Sequence, residues 1–183
     1  MGPVGETPRL RSLDISTIDC YLISMTQSPS AVQRSIRQRK PFRSPGHEAV
    51  VALLKMADLV HRKAGALVEP VGITLQQYNV LRILRGAGAE GLPTLEVAER
   101  MIEQAPGITR LLDRLEAKGL VSRERSSDDR RTVRCRISSQ GLRVVSRLDQ
   151  PMDAFNDRVL APIPKRHQRQ LVELLNQLLE GLD

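Results

Sequence analysis

Aromatic side chains are scarce in this sequence: they make up 2% of the 183 residues, and tryptophan is absent. Sandwiches and barrels draw heavily on aromatic and β-branched side chains, so a core of Leu, Val, Ile and Ala favours packed helices instead. Hydrophobic residues reach 40%, which is enough for a core. The length suits a single domain with a tail or a dimerisation extension. We therefore expect a mainly α fold.

Reactive and membrane-spanning features are also missing. Cys20 and Cys135 provide neither a disulfide framework nor metal-ligand spacing, and His47, His61 and His167 form no metal-spaced set. No apolar run approaches the roughly 18 residues that span a bilayer. No nucleophile–base pair and no glycine-rich phosphate loop is evident. These absences argue against an enzyme, a cofactor, a metal site or a membrane partner, and two unpaired cysteines fit a reducing cytoplasm.

Positive charge is in excess but unevenly distributed. The net charge is +7, and residues 1–43 hold seven basic against three acidic residues. Gly, Pro and Ser punctuate this segment, so we expect a basic, poorly ordered N-terminal extension followed by one domain over residues 44–183. The basic cluster at 34–43 is either a solvated tail or an arm that contacts DNA phosphates. A second cluster lies at 121–136, where six Arg accompany three acids.

Apolar positions at helical spacing predict six helices in the domain. Ser44 and Pro45 supply the N-cap and first turn of a long first helix, and Thr74 with Gln77 forms the capping box of the second. Thr94 is the expected N-cap of the third. The predicted spans are about 45–68, 75–86, 95–101, 106–118, 139–161 and 165–181.

Between the fourth and fifth helices the period of the pattern changes. Apolar residues and Arg alternate over 133–137, which is typical of a half-buried strand, and 120–125 can pair with it. Ser and Asp within 126–131 provide turn chemistry. A helix-turn-helix followed at once by a β-hairpin is a winged helix-turn-helix, here predicted as a reading head over residues 94–137. The helices at 45–68 and 139–182 then either join two copies in a symmetric dimer, which we favour, or pack within one chain.

The second helix of a helix-turn-helix enters the major groove, and its N-terminal residues face the base edges. Here Pro106 sets the helix direction, Gly107 permits close approach, and Thr109 reaches a phosphate or a thymine methyl. Arg110 is placed for a bidentate contact with guanine. Arg114 lies one turn further along the same face, within reach of phosphate.

Thr94, at the start of the preceding helix, completes this predicted DNA-contacting set. A competing interpretation is that Arg110 and Arg114 simply pair with acids such as Asp113 or Glu116 on a solvated surface. The Arg-rich hairpin that follows directly favours DNA.

The tip of the hairpin combines acids with arginines. A carboxylate facing phosphate is repelled, so we expect Asp128 or Asp129 to hold the turn and the Arg side chains in place. Arg130 or Arg131 would then enter the minor groove, where narrow A·T tracts attract Arg. The other wing arginines are either phosphate contacts or solvated strand residues: Arg123, Arg125, Arg134 and Arg136.

These features together resemble the MarR family, the multiple-antibiotic-resistance-type regulators of bacteria and archaea. The resemblance covers about residues 47–182, and 73–81 and 94–101 carry part of it. Its most specific part is the run 107–121, which ends Leu-Glu-Ala-Lys-Gly-Leu-Val, followed by Asp-Asp-Arg-Arg at 128–131. The pattern departs at 105–107, where Ala-Pro-Gly replaces the usual small polar residues, so base preference does not carry over.

The resemblance implies a homodimer that binds a pseudo-palindromic operator in double-stranded DNA, commonly as a repressor. It also implies a small phenolic or aromatic effector that weakens this binding, and His61 is a candidate for lining its pocket. Cys135, on the inner side of a wing strand, is expected to be a buried structural thiol. The competing hypothesis is a winged-helix module that binds protein without reading DNA.

Overall fold

The computed structural model describes residues 28–103, 107–125 and 133–182, which divide into two units between Ala57 and Asp58. In the first unit a short helix, α1 (Ala31–Ser35), lies in the segment for which the sequence predicts a poorly ordered extension. It begins with a capping box between Ser30 and Gln33. The sequence interpretation missed this helix, because five residues are too few to display an apolar period.

The long helix α2 (Pro45–Val68) begins in the first unit and ends in the second. Ser44 Oγ accepts a hydrogen bond from the His47 N–H at 3.2 Å, which confirms Ser44 as the N-cap. Near the end of the helix, Ala64 and Val68 are buried.

The remaining helices belong to the second unit. The capping box of Thr74 and Gln77 opens the first of them as predicted. Pro151 lies inside the long sixth helix, which continues past it. The helices are α3 (Leu75–Ala87), α4 (Thr94–Glu99), α5 (Ile108–Ala117), α6 (Ser139–Leu160) and α7 (Lys165–Glu180), with 3₁₀ turns at Glu69–Val71 and Gly88–Glu90.

A small antiparallel sheet contains three strands, in the order β1 (Leu92–Pro93), β3 (Val133–Ile137), β2 (Val121–Arg125). The β2–β3 hairpin confirms the predicted wing strands. The sequence interpretation missed β1, a two-residue strand that pairs Leu92 with Cys135. Gly91 directly precedes β1, has φ +63° and lies against β3. A Cβ added to it would lie 2.3 Å from the Cys135 carbonyl oxygen.

The prediction that Thr94 caps α4 is wrong. Pro93, in extended conformation, occupies the N-cap and Thr94 is the first helical residue. Because β1 runs straight into α4, the Thr94 hydroxyl turns towards β3 instead. It donates to the Val133 carbonyl at 3.3 Å and lies 3.5 Å from Cys135 Sγ.

The core of the second unit packs α3, α5, α6 and the sheet around one apolar cluster. Leu81 and Leu84 on α3 are fully buried, as are Leu112 and Leu115 on α5. Each such leucine contributes roughly 1.5–3 kcal/mol of burial free energy. Two leucines one turn apart therefore fix the rotation of α5 about its axis and direct its opposite face outward.

Cys135 is fully buried at the centre of β3, as expected. Burial raises the pKa of its thiol. Among the residues that the structure describes, no helix combines the length and apolar character needed to cross a bilayer. Within the same residues, no group of three or more His, Cys, Asp or Glu side chains is placed to hold a metal ion.

Candidate nucleic-acid interface

Helix α5 starts from a conformation that favours glycine. Gly107 is the N-cap residue at φ 134°, in the region that L side chains rarely adopt, and its carbonyl accepts from the Leu111 N–H at 3.1 Å. Thr109 and Arg110 occupy the first turn and are exposed, and Arg114 is exposed one turn further on. The helix thus places the predicted base-facing residues on its solvent side.

The arginines of this exposed face have no carboxylate partner among the described residues. The nearby acids Asp113 and Glu116 are instead engaged by Arg123 of β2. The interpretation in which Arg110 and Arg114 pair with these acids is therefore wrong for these residues. Both guanidinium groups remain available to an external anion.

Arg123 on β2 connects the wing to α5 through ion pairs. Its Nη2 lies 2.6 Å from both Asp113 Oδ1 and Glu116 Oε2, and its Nε donates to Glu116 Oε2 at 2.9 Å. The hydrogen bond to Glu116 raises the pKa of Arg123, and only 22% of the side chain is exposed. Arg123 is therefore neither a phosphate contact nor a solvated strand residue, because charge-assisted hydrogen bonds within the protein already occupy its guanidinium group.

Two further wing arginines are also engaged within the protein. Arg134 donates to the carbonyls of Glu90 and Gly91, each at 3.3 Å. Arg136 donates to the Ala89 carbonyl at 2.9 Å and to Glu124 Oε2 at 2.6 Å. These contacts tie the wing to the loop before β1. Arg125 is exposed at the end of β2, as the sequence interpretation allowed.

Thr94 and Thr109 border one open hollow. Its volume is about 600 Å³, and it lies between the start of α4, the start of α5 and β3. Arg123 and Val133 line its other side. The structure therefore brings these two predicted contact residues together.

Several predicted contacts lie outside the described residues. Pro106 precedes α5, and the wing tip falls between β2 and β3. The residues concerned are Pro106, Asp128, Asp129, Arg130 and Arg131, whose assigned roles stay predictions.

A helix-turn-helix with a β-hairpin wing and a long helix on either side is found among solved structures. A MarR transcription factor from Planctomyces limnophilus is 33% identical over 75% of this chain and 99% of its own, with a TM-score of 0.58. Residues 73–133 also match the MarR family model. The chain belongs to the MarR family.

Two other transcriptional regulators match over most of their length. The PcaV transcriptional regulator of Streptomyces coelicolor, solved in complex with its natural ligand, is 27% identical over 77% of this chain and 95% of its own, with a TM-score of 0.62. The HTH-type transcriptional repressor Mb2911 of Mycobacterium bovis is 25% identical over 69% of this chain and 89% of its own. The chain is accordingly a MarR-family transcription regulator and not an enzyme.

In this MarR-family chain a small cavity lies within the second unit. Its volume is about 50 Å³, and its walls come from α2, α3 and the turn after α4. His61 on α2 forms part of these walls. His61 Nδ1 lies 2.7 Å from Glu103 Oε1, and Gln76 Nε2 donates to Glu103 Oε2 at 3.1 Å. Leu75, Asn79, Met101 and Ile102 complete the lining.

Two contacts that sequence reasoning missed join distant parts of the second unit of this MarR-family chain. Arg85 on α3 makes a two-pronged ion pair with Asp149 on α6, at 2.8 and 3.0 Å. Lys118, after the last turn of α5, donates to the Gly72 carbonyl beyond α2. No local pattern reveals partners 64 or 46 residues apart.

Proposed function

We propose that this MarR-family regulator is a homodimeric repressor that reads a pseudo-palindromic operator in double-stranded DNA. A small phenolic or aromatic ligand releases it, and it acts in the cytoplasm. One observation carries the proposal: α5 presents Arg110 and Arg114 to solvent while Arg123 occupies the acids beside them. A surface that neutralises its own acids and leaves its arginines without a carboxylate partner among the described residues suits a phosphate-lined groove.

We assign base reading to the start of α5 and phosphate contacts to the residues around it. Arg110 reads a base, Gly107 permits the approach, and Thr109, Arg114 and Thr94 contact the backbone. At the wing tip, Arg130 or Arg131 enters the minor groove, with Asp128 or Asp129 as support. Pro106 directs the helix.

Selection of bound duplexes from a random pool tests sequence reading. We expect enrichment of an inverted repeat whose half-sites are centred about one helical turn apart. Loss of affinity with added salt should be steep, because each neutralised phosphate releases a counterion. Failure to enrich any sequence, together with a flat salt dependence, would instead support a module that binds protein.

The exposed apolar surface of the flanking helices supports a dimer. On α7, Leu174 and Leu178 are about half exposed, and Leu179 is 64% exposed. On α2, Val50 and Leu54 are exposed to a similar degree. Apolar faces on separate long helices are costly in water and are commonly covered by a second copy.

The position of the small cavity supports release by a ligand. A volume of about 50 Å³ is smaller than the roughly 150 Å³ that accommodates a benzene ring, so an aromatic ligand must open it. Opening separates Glu103 from His61 and Gln76, and Glu103 lies four residues before Gly107. Movement there redirects the start of α5. PcaV, a related protein, was crystallised in complex with its natural ligand.

Titration with a panel of phenols and benzoates tests this release. We expect at least one compound to raise the melting temperature of the free protein and to release it from the selected operator. Release without any stabilisation of the free protein would mean that the compound acts on the DNA, because a compound that binds the folded protein at any site raises its melting temperature. For repression, deletion of the gene should raise transcription from promoters that contain the operator, as expected for a relative of Mb2911, which is named a repressor.

A further inference from the structure

A basic arm, defined here as residues 28–43, precedes α2. It contains Arg34, Arg37, Arg39, Lys40 and Arg43, all exposed. The sequence has no acid between Asp19 and Glu48. None of the five cations forms an ion pair with a carboxylate in the described part of the chain; Arg34 donates to the Pro29 carbonyl.

Hydrogen bonds hold the backbone of the arm in a defined turn. Gln33 Nε2 and Gln38 Nε2 both donate to the Lys40 carbonyl, at 3.2 and 2.8 Å. Between them Arg37 adopts φ 53°, the left-handed conformation that non-glycine residues seldom take. The capping box at Ser30 fixes the start of α1.

The far end of the arm is also fixed locally. The Phe42 ring packs edge-on against the His47 ring in the first turn of α2, with centroids 5.2 Å apart. A flexible solvated tail needs none of these contacts. The five cations are instead brought together on a short folded segment, where their mutual repulsion is unfavourable until an anion neutralises it.

The partner that fits this segment is a closely spaced polyanion. Residues 44–183 carry 21 basic and 18 acidic residues, so the rest of the chain is only mildly basic. Duplex DNA offers one phosphate charge per roughly 1.7 Å of helix axis. A DNA-bound reading head would also hold the tethered arm near the neighbouring duplex at high effective concentration. The arm lies outside residues 73–133, which match the family model.

We propose that the basic arm binds phosphates of the DNA that flanks the half-site read by α5. The inference rests on the proposed function, since the reading head brings the arm to the duplex. The arm adds affinity that depends on the length of the duplex and on salt, and it adds no base preference.

The test compares two variants that lose the same charge. The arm variant carries Arg37→Gln, Arg39→Gln and Lys40→Gln. The control variant carries Arg143→Gln, Arg147→Gln and Arg158→Gln, three exposed cations of α6. Affinity is measured over a range of salt on two duplexes, the selected operator alone and the operator with about ten further base pairs on each side. Molecular mass by light scattering confirms that both variants keep the wild-type assembly.

We expect the arm variant to lose about tenfold in affinity on the long duplex near 0.1 M salt, and less than about twofold on the short one. Its salt dependence on the long duplex should be shallower, by about 0.9 in the log–log slope for each lost phosphate contact. The control variant should bind the long duplex like the wild type.

Equal binding of the arm variant and the wild type to the long duplex, with the same salt dependence, overturns the proposal. So does binding of the arm to anionic phospholipid vesicles with no effect on DNA. Failure of the proposed function gives a different result, because the wild-type protein then shows no preference for the operator sequence over other sequences, whatever the duplex length. Retention of sequence preference by the arm variant separates the two cases.

Discussion

At the scale of single residues, Arg110 and Arg123 lie at the same helix–strand junction and have opposite surroundings. Arg110 is exposed and has no carboxylate partner among the described residues, whereas Arg123 is held by two carboxylates. The first is available for recognition, and the second orients the surface that carries it.

Replacing Arg110 tests base reading directly. Arg110→Ala should cost about 1–3 kcal/mol of binding free energy on the preferred operator and relax specificity at one base position. Arg114→Ala is the matched comparison, and we expect it to weaken all sequences uniformly. Affinities for a set of single-base operator variants provide the measurement. A uniform loss for Arg110→Ala would make it a phosphate contact.

Replacing Arg123 tests the ion pairs that connect the wing to α5. Arg123→Gln leaves Asp113 and Glu116 uncompensated beside the proposed DNA-facing surface, so affinity for every sequence should fall. The unfolding free energy should drop by up to about 1 kcal/mol, because both carboxylates are partly exposed. Adding Glu116→Gln to that variant should restore part of both losses, because it removes the unpaired charge. Urea unfolding and operator binding measure the cycle. Additive losses would show that the two side chains do not act together.

The sequence could predict that Arg110 lies on the outward face of α5, opposite the core. The prediction comes from the helical spacing of the apolar residues Ile108, Leu111, Leu112 and Leu115. It could not predict the role of Arg123. A strand arginine looks the same in sequence whether it meets phosphate or carboxylate, and only the approach of β2 to α5 decides.

At the scale of elements, the first turn of α6 packs directly on the backbone of Leu120, the residue before β2. Ser138 caps α6 by accepting from the Gly141 N–H at 3.0 Å, and the Ser138 N–H donates to the Leu120 carbonyl. A Cβ on Gly141 would lie 2.3 Å from that carbonyl oxygen and 2.7 Å from Ile137 Cγ1.

Gly141→Ala should therefore destabilise the fold by about 1–3 kcal/mol, because backbone must shift to accommodate one methyl group. Gly86→Ala is the control: Gly86 lies in α3 with no atom within 4 Å of its added Cβ. It should leave stability unchanged or raise it by up to about 1 kcal/mol. Urea midpoints compare the two, and equal midpoints would contradict the packing of α6 on Leu120.

The ion pair between α3 and α6 makes a pH-dependent prediction. The hydrogen bond from Arg85 lowers the pKa of Asp149 from its ordinary 3.8. A carboxylate with a lowered folded-state pKa stabilises the fold above its unfolded-state pKa, and this stabilisation is lost as pH falls through the folded-state value. Asp149→Asn should cost up to about 1 kcal/mol at pH 7, since the pair is partly exposed. The cost should vanish well below pH 3.8, and a constant difference across pH would refute it.

Most elements were predictable, but the short helix α1 and the strand β1 were not. Helical periodicity and capping residues locate α2 to α7, and strict alternation locates the β2–β3 hairpin. Strand β1 could not be predicted because its two residues, Leu92 and Pro93, show no alternation and pair with Cys135 and Arg134 far along the chain. The cap of α4 was misassigned for the same reason, since β1 determines how the chain enters that helix.

At the scale of the whole molecule, the proposed dimer depends on the apolar face of α7. Leu174→Glu with Leu178→Glu should halve the mass measured by light scattering, because two charges cannot be buried between copies without a large cost. Arg169→Gln with Asn176→Asp, on the side of α7 opposite those two leucines, changes the charge by the same amount and should keep the dimer mass. Dimers of equal strength in both variants would place the interface elsewhere.

Hydroxyl-radical footprinting of the wild-type protein on its selected operator tests the central claim most directly. A dimer that places two copies of α5 in successive major grooves should protect two patches on one face of the duplex, centred about 34–36 Å apart. Arg110→Ala should weaken both patches together, because one substitution alters both copies. A single patch, or uniform protection along the duplex, would contradict reading of an inverted repeat by a winged helix-turn-helix dimer.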